Sequence, residues 1–239
     1  MWLLKNIIII GSEGIIGQAV RDTFKDYFQV CIDKSLGEEM VENSNSIQLS
    51  YDITSEQDLN KIYEVIKGKN LNIDGVIYLA GVNYMRNFFT STTDSWQETF
   101  DINLFGIVKF LKRIYNLFSE KISIVCVASQ NGIVGHEDRV DYGPSKAAII
   151  QLVKNLTVDF AKYSNKDIKI NCVSPTYVLT EENKEYFDSF PGKRLINRIP
   201  YKKLVTPTEV SNVIEFLTSD KSDAIRGQNI VIDYGYTVV

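Results

Sequence analysis

The fold is decided by residues 5–17, which read KNIIIIGSEGIIG. Their four consecutive isoleucines form an apolar run without polar alternation, which is typical of a parallel strand covered by helices on both faces. Gly11, Gly14 and Gly17 follow where this strand should turn into a helix. Glycines at such a turn let the backbone approach a pyrophosphate, and the helix start supplies free N–H groups and a positive dipole end. The stretch predicts a strand, a tight turn and a helix that can hold a dinucleotide, although any tight turn can use glycines.

The same alternation of strand and helix continues along the chain. Short apolar runs are separated by longer segments whose apolar residues recur every three or four positions, the pattern of βαβ units. The predicted strands are Lys5–Ile10, Gln29–Ile32, Ile47–Leu49, Gly75–Leu79, Ser123–Ala128, Lys169–Val173 and Asn229–Ile232. The predicted helices are Gly14–Tyr27, Ser55–Lys67, Ser95–Phe118, Asp141–Tyr163 and Pro207–Thr218. We predict a single α/β domain over residues 1–239, with a doubly wound, mostly parallel sheet of about seven strands and helices on both faces.

Composition excludes several classes of protein. The 239 residues are 44% hydrophobic and 23% charged, which is ordinary for a globular protein. With Lys+Arg 26 against Asp+Glu 30 the net charge is -4, and no cationic block could follow a nucleic acid backbone. The apolar N-terminus is interrupted by Lys5 and Asn6, is too short to span a bilayer and lacks a cleavage site. We expect a cytoplasmic protein with no nucleic acid or membrane partner.

Cysteine and histidine content argues against a metal site. Cys31, Cys126 and Cys172 each lie in an apolar run, so we expect buried, reduced thiols rather than disulfides. His136 is the single histidine, and no CxxC spacing occurs. A zinc site has almost nothing to be built from, and we predict no metal.

A carboxylate follows the second predicted strand, in the sequence QVCIDKS. Asp33 lies twenty-two residues after Gly11, where a carboxylate can accept hydrogen bonds from the adenosine ribose hydroxyls of a dinucleotide. The alternative is a solvated aspartate at a strand end. A carboxylate here repels a 2′-phosphate, and Glu13 adds negative charge nearby, so we predict NAD as the cofactor and NADP as less favoured. Lys34 partly offsets that preference.

A second group of residues carries acid–base chemistry. The strand SIVCVAS ends at Ser129, and YGPSK follows thirteen residues later, from Tyr142 to Lys146. Residues four apart share one face of a helix, so we expect the Lys146 ammonium to stand near the Tyr142 phenol and to lower its pKa. Tyrosine could then act as a general acid or base, with Ser129 hydrogen-bonding the substrate oxygen. YxxxK alone occurs by chance in many helices, and it indicates acid–base catalysis only together with Ser129 and the glycine turn.

With these motifs, the chain resembles the short-chain dehydrogenase/reductase family, of the short single-domain type, over nearly its whole length. Further matches are Asp52 in YDIT, Ala80-Gly81, Asn103 in FDINLFG, and NCVSP followed by Thr180. In the family these positions contact adenine, line the cofactor, hold a water of the proton relay and lead into the nicotinamide site. The resemblance implies the catalytic residues Asn103, Ser129, Tyr142 and Lys146. It implies the cofactor-binding residues Gly11, Glu13, Ile16, Gly17, Asp33, Asp52, Ile53, Ala80, Gly81, Tyr142, Lys146, Pro175 and Thr180.

Three departures mark a divergent member of that family. Ile15 stands where the family pattern has its second glycine, and Gly14 precedes it, a spacing that resembles epimerases. Tyr78 and Leu79 replace two asparagines before Ala-Gly, and Thr176 replaces the glycine after the proline of NCVSP. These changes affect cofactor packing more than proton transfer.

The resemblance implies hydride transfer between a nicotinamide and a carbon bearing oxygen, with a small polar carbonyl or alcohol as substrate. Polar residues of the loops that bound the substrate favour a hydroxylated or charged molecule; they are Asn83, Tyr84, Arg86, Gln130, Asn131, His136, Glu137, Arg139 and Tyr177. Arg86 and Arg139 could each bind a carboxylate or phosphate, or be solvated surface residues. Residues 180–203, the least regular segment, are predicted to be a substrate loop or lid.

Three other functions compete with this interpretation. One is a nucleotide-sugar epimerase or dehydratase, which such a short chain disfavours. Another is a dinucleotide-sensing protein without activity, which Ser129, Tyr142 and Lys146 disfavour. The third is a non-redox role in a biosynthetic complex, which nothing in the sequence excludes.

The resemblance also implies a homo-oligomer, a tetramer or a dimer. Candidate contacts are the apolar faces of helices 95–118 and 141–163 and the C-terminal YGYTVV. The same faces could equally belong to the core.

Overall fold

A computed structural model describes residues 5–239 of the chain, and residues 1–4 of the predicted domain lie outside the described residues. One sheet runs through the molecule, with the strand order β3-β4-β2-β1-β5-β6-β7-β8. The strands are β1 (Asn6–Ile10), β2 (Phe28–Ile32), β3 (Met40–Glu42), β4 (Ser46–Leu49), β5 (Ile73–Tyr78), β6 (Phe118–Val127), β7 (Asp167–Pro175) and β8 (Asn229–Ile232). All neighbours pair in parallel except β3 with β4. The prediction of a doubly wound, mostly parallel α/β sheet is confirmed.

The position of β1 places the functional region. The chain leaves β1 toward β2 and β4 on one side and returns to β5 on the other. Loops at the carboxyl ends of β1 and β5 therefore diverge to opposite faces of the sheet and open a crevice between them.

The structure adds one strand, β3, and lengthens two others, β6 and β7, of which β7 extends two residues beyond each end of the predicted Lys169–Val173. β3 is a three-residue edge strand in which Val41 is half-buried between exposed neighbours, too short for any period in the sequence to reveal it. β6 begins at Phe118, inside the predicted helix 95–118, because Phe118 is buried and pairs in register with Ile73 of β5.

The helices are α1 (Ile15–Thr23), α2 (Glu56–Gly68), α3 (Thr93–Phe100), α4 (Gly106–Ile114), α5 (Tyr142–Tyr163), α6 (Lys184–Asp188), α7 (Phe190–Ile196) and α8 (Pro207–Thr218). The single helix predicted over Ser95–Phe118 is wrong, because a π-helical segment, Asp101–Phe105, separates α3 from α4. α1 ends four residues before the predicted Tyr27. The reason is Gln29 on β2, whose side-chain amide donates to the carbonyls of Arg21 and Phe24, both at 2.9 Å, and so satisfies the helix end.

The isoleucine run of β1 is explained by two separate cores. Ile8 and Ile10 belong to the apolar cluster on the side of α2, α4 and α5, and Ile7 and Ile9 belong to the cluster on the side of α1 and α8. A strand covered on both faces needs an apolar residue at every position. All three cysteines are buried and free, as predicted. Within residues 5–239, no helix combines the length and the hydropathy needed to cross a membrane.

Candidate active site

The glycine turn after β1 is shaped by two of its three glycines. Gly11 has φ +83°, and a Cβ there would lie 2.8 Å from the backbone nitrogen of Ala80. A Cβ on Gly17 would overlap the carbonyl oxygen of Gly11 and lie 2.7 Å from the Ser12 carbonyl. Gly14 has an ordinary φ of -64°, and a Cβ there would meet nothing nearer than 3.5 Å. Gly11 and Gly17 are thus required by the fold, whereas Gly14 leaves open space at the start of α1.

Asp33 is held at the carboxyl end of β2, beside this turn. One carboxylate oxygen accepts a hydrogen bond from the backbone N–H of Glu13 at 3.1 Å. The other accepts from the backbone and the hydroxyl of Ser35 at 3.0 and 2.7 Å. Three of about four acceptor sites of the carboxylate are thus occupied, and the oxygen bonded to Glu13 keeps one that can receive a ribose hydroxyl.

Glu13 has a different environment from the one expected. Its carboxylate forms an ion pair with Arg21 of α1, so the negative charge that the sequence seemed to add beside Asp33 is balanced. Gly11 and Gly14 line the cleft beside the turn, whereas Glu13, which was predicted to bind the cofactor, does not.

The cleft beside the turn, about 200 Å³ in volume, runs between the ends of β1, β2, β4 and β5. It is lined by Ile10, Gly11, Gly14, Ile32, Asp33, Lys34, Tyr51, Asp52, Ile53, Leu79, Ala80, Gly81, Val82 and Ile102. Burial acts to raise the pKa of Asp52, but hydrogen bonds from Thr54 at 2.8 and 2.7 Å and the charge of Lys34 outweigh it and lower that pKa. A carboxylate beside the turn, exposed glycine backbone and apolar walls fit the adenosine and pyrophosphate of a dinucleotide.

Several of these lining residues were not predicted. Tyr51 and Val82 directly adjoin predicted residues, and Ile102 precedes Asn103. Only their position next to a predicted residue could have identified them from the sequence.

The predicted acid–base residues meet in a second cleft of about 220 Å³. It is lined by Ile16, Leu79, Gly81, Val82, Asn83, Val127, Ala128, Ser129, Tyr142, Lys146, Pro175, Thr176 and Val178. The two clefts share Leu79, Gly81 and Val82 and so are neighbours. Residues from β5, β6, α5 and β7 therefore converge on one end of the dinucleotide cleft.

Burial dominates the acid–base properties of this cleft. Desolvation raises the pKa of Tyr142, and a hydrogen bond with Ser129 and the charge of Arg139 partly oppose that rise. Burial lowers the pKa of Lys146 to about 8, and its ammonium donates to the carbonyl of Val127 at 2.9 Å.

The expectation that Lys146 lowers the pKa of Tyr142 is wrong for this arrangement. Its Nζ lies 5.6 Å from the centroid of the Tyr142 ring and is hydrogen-bonded to Val127, not to the phenol oxygen. The groups that favour the phenolate are instead Ser129 and Arg139.

Asn103 lies in the π-helical segment and is fully buried behind the cleft. Its side-chain oxygen accepts from the backbone N–H of Val82 at 2.8 Å, and its amide donates to the Val82 carbonyl at 3.1 Å and the Ser145 hydroxyl at 2.9 Å. The side chain thus fastens the loop after β5 to α5. A π turn is a frequent local distortion at functional sites.

Thr180 lies outside both clefts. Its backbone N–H donates to the side chain of Asn183 at 2.9 Å, and its hydroxyl accepts from the Asn183 backbone at 3.1 Å, so it closes a local turn. Pro175, Thr176 and Val178 line the cleft from this side instead. Gln130, predicted to face the substrate, is buried and bonded to the hydroxyl of Thr176 at 2.5 Å.

Known proteins match this chain along nearly its whole length. A family model described as enoyl-(acyl carrier protein) reductase matches residues 29–237. The NAD-dependent glycerol dehydrogenase of Listeria innocua is 28% identical over 242 residues, covering 98% of this chain and 94% of the relative.

Solved structures share the same architecture. A short-chain dehydrogenase family protein from Francisella tularensis superimposes with a TM-score of 0.87 at 28% identity, covering 99% of this chain and 100% of the other. A structure of ElxO with NADP bound has a TM-score of 0.85 at 26% identity and covers 99% of this chain and 100% of the other. These proteins share the overall fold of this chain.

Proposed function

The chain belongs to the short-chain dehydrogenase/reductase family, as an NAD(P)-dependent oxidoreductase that interconverts carbonyl and alcohol groups, and we propose that its substrate is a small polar molecule. Residues 1–239 form one catalytic domain in this proposal, with residues 180–203 as a lid over the substrate. The catalytic residues are Asn103, Ser129, Tyr142 and Lys146. The observation that carries the proposal is the convergence of Ser129, Tyr142 and Lys146 beside the dinucleotide cleft.

Each catalytic side chain has a distinct task. When bound, the nicotinamide supplies or accepts the hydride. The Tyr142 phenol gives a proton to the substrate oxygen during reduction and takes it back during oxidation. The Ser129 hydroxyl lines the same cleft as that phenol and orients the same oxygen. Lys146 uses one donor on Val127 and keeps two for the ribose hydroxyls.

A panel of alcohols and carbonyls tests this function directly. Purified protein is assayed at 340 nm with NAD⁺ or NADP⁺ and short polyols, sugars and hydroxy acids, and in reverse with the corresponding carbonyls. We expect reversible, dinucleotide-dependent turnover of at least one polar substrate. Dinucleotide binding without turnover of any panel member would favour a sensing protein instead.

The lid proposal rests on a third cavity, of about 410 Å³, beside the second cleft. Loop residues His136, Arg139 and Tyr177 form one side of it, and Tyr186, Phe187 and Leu195 of the segment 180–203 form another. The predicted substrate loops and the predicted lid thus enclose one space. Tyr177 of this cavity lies in the chain between Thr176 and Val178, which line the second cleft, so a substrate held there would adjoin the cleft that contains Tyr142.

We further propose NAD as the preferred cofactor, with Asp33 as the residue that selects it. Asp33→Asn removes a charged acceptor for the ribose hydroxyls and a charge that repels a 2′-phosphate, so NADH affinity should fall about tenfold and NADPH affinity should rise. Fluorescence titration of both dinucleotides measures the change. Glu38→Gln, an exposed carboxylate on the following loop, is the matched control and should leave both affinities unchanged. Wild-type protein that prefers NADPH would contradict the assignment.

We propose a homo-oligomer whose contact includes α4 and α5. An apolar groove between these helices is lined by Val108, Leu111, Lys112, Tyr115, Asn116, Phe118, Leu156, Asp159, Phe160, Tyr163 and Ser164, and Tyr163 is 72% exposed. Light scattering should give the mass of a dimer or tetramer, and Tyr163→Glu should reduce it by placing a charge in the contact. Tyr201→Glu, at a site that is 73% exposed elsewhere, should not. A monomeric wild type would refute the proposal.

A further inference from the structure

Two arginines lie on the loops around the start of α5, and their surroundings differ. The guanidinium of Arg86 stacks on the ring of Tyr84 at 4.2 Å and lies 3.8 Å from the carboxylate of Asp141 and 4.0 Å from that of Glu98. Asp141 is itself 1% exposed and accepts hydrogen bonds from Thr99 and from the backbone of Tyr142. The charge of Arg86 is therefore already balanced by the protein.

Arg139 has no such partner within residues 5–239. No carboxylate of that part of the chain lies within 4.0 Å of its guanidinium. One terminal nitrogen donates to the backbone carbonyl of Asp138 at 2.8 Å. The Nε is shielded from solvent and donates to no atom of the described residues. A terminal nitrogen of Arg86 is likewise buried without an acceptor, so what distinguishes Arg139 is that no carboxylate of the described residues lies near its charge.

Arg139 is also placed beside the reacting groups. Its carbonyl accepts from the backbone N–H of Gly143 at 2.9 Å, which fixes it one turn before the first residues of α5. Its charge acts on the phenol of Tyr142. Its side chain lines the 410 Å³ cavity beneath the segment 180–203.

We infer that the substrate carries a carboxylate and that Arg139 binds it. The inference rests on the proposed function and names the substrate class of the same site. One terminal nitrogen is bonded to Asp138 and the Nε is shielded from solvent, so the other terminal nitrogen is the charged donor that a carboxylate in the cavity would meet.

The rest of the cavity favours a carboxylate over a phosphate. Glu137 and Asp138 also line it, and the Asp138 carboxylate is engaged by the side-chain amide of Asn87 at 3.2 Å. One guanidinium near two carboxylates can accept a single negative charge more readily than two. Met85, Phe187 and Leu195 add apolar walls that suit a hydrocarbon segment. A short hydroxy acid or oxo acid combines these features.

The test compares an acid with its uncharged ester. Initial rates are measured with 3-hydroxybutyrate, both enantiomers, and with the methyl ester of each, for wild type, Arg139→Gln and Arg113→Gln. Arg113 lies on the surface of α4 and pairs with Glu56, so it is the matched control for loss of one positive charge. We expect the acid to exceed the ester in kcat/KM. Arg139→Gln should lower kcat/KM for the acid about 30-fold, mainly through KM, and change the ester less than threefold.

A binding measurement separates this inference from the proposed function. Butyrate is titrated into the complex of each protein with NADH, followed by NADH fluorescence. Tighter binding to wild type and Arg113→Gln than to Arg139→Gln supports the carboxylate site, even if no alcohol is turned over. The inference is overturned by equal affinity in all three proteins, by no butyrate binding to wild type, or by an equal loss of acid and ester turnover in Arg139→Gln. Turnover of polyols but of no hydroxy acid would support the oxidoreductase function and overturn the inference of a carboxylate substrate.

Discussion

Tyr142→Phe is expected to lower kcat about 10²- to 10⁴-fold while NADH affinity changes less than twofold. The substitution removes the hydroxyl that exchanges the proton, but it keeps the ring that lines the cleft. Steady-state rates and NADH titration measure the two effects separately. Appreciable turnover by the variant would refute the role of Tyr142 as acid and base.

The matched control is Tyr63→Phe, a half-buried tyrosine on α2 away from both clefts, which should retain full activity. The pH profile adds a second check on the wild type. Because burial raises the pKa of Tyr142, the phenolate needed for alcohol oxidation forms at alkaline pH, and the oxidation rate should rise with pH. Carbonyl reduction needs the protonated phenol, so its rate should fall over the same range.

Gly17→Ala is expected to lower the free energy of unfolding by more than about 3 kcal/mol, a fall in Tm of at least roughly 6 °C. The added methyl would overlap the carbonyl oxygen of Gly11 and lie 2.7 Å from the Ser12 carbonyl, all backbone atoms of the turn that cannot rotate away. Either α1 or the turn must shift. Thermal and urea unfolding measure the loss.

Gly14→Ala tests whether a glycine of the turn is needed for stability or for binding the dinucleotide. Its Cβ would lie 3.5 Å from the nearest atom, at an ordinary φ of -64°, so stability should be unchanged or slightly higher. Gly14 nevertheless lines the dinucleotide cleft, and the added methyl should weaken NADH binding. Equal stability of the two variants would contradict the steric account of the turn.

The sheet could be predicted because its signals are local. A central strand is buried on both faces, so the run from Ile7 to Ile10 is apolar at every position, and this identifies the strand before any contact is known. The meeting of Ser129 and Tyr142 in one cleft could be predicted for a similar reason. Each lies at the end of a regular element, where parallel strands bring their carboxyl ends to one edge.

Features without local periodicity were missed. β3 has three residues, and its existence depends on pairing with β4. The π turn at Asp101–Phe105 keeps the apolar spacing of a helix while altering its hydrogen bonds, so the sequence suggested one continuous helix. Phe118 fits the apolar pattern of a helix and of a strand equally well, and its pairing with Ile73 places it in a strand.

The sequence by itself therefore determined the central strands of the sheet, the glycine turn and the proposed site residues, because burial on defined faces and fixed spacing are properties of the chain. Tertiary structure alone decided how each charged group is used. Glu13 pairs with Arg21, and Arg86 is balanced by Asp141, whereas Arg139 is left without a carboxylate partner within residues 5–239. Charge balance depends on side chains brought within a few ångströms by folding, and those distances are not encoded in the spacing of residues along the chain.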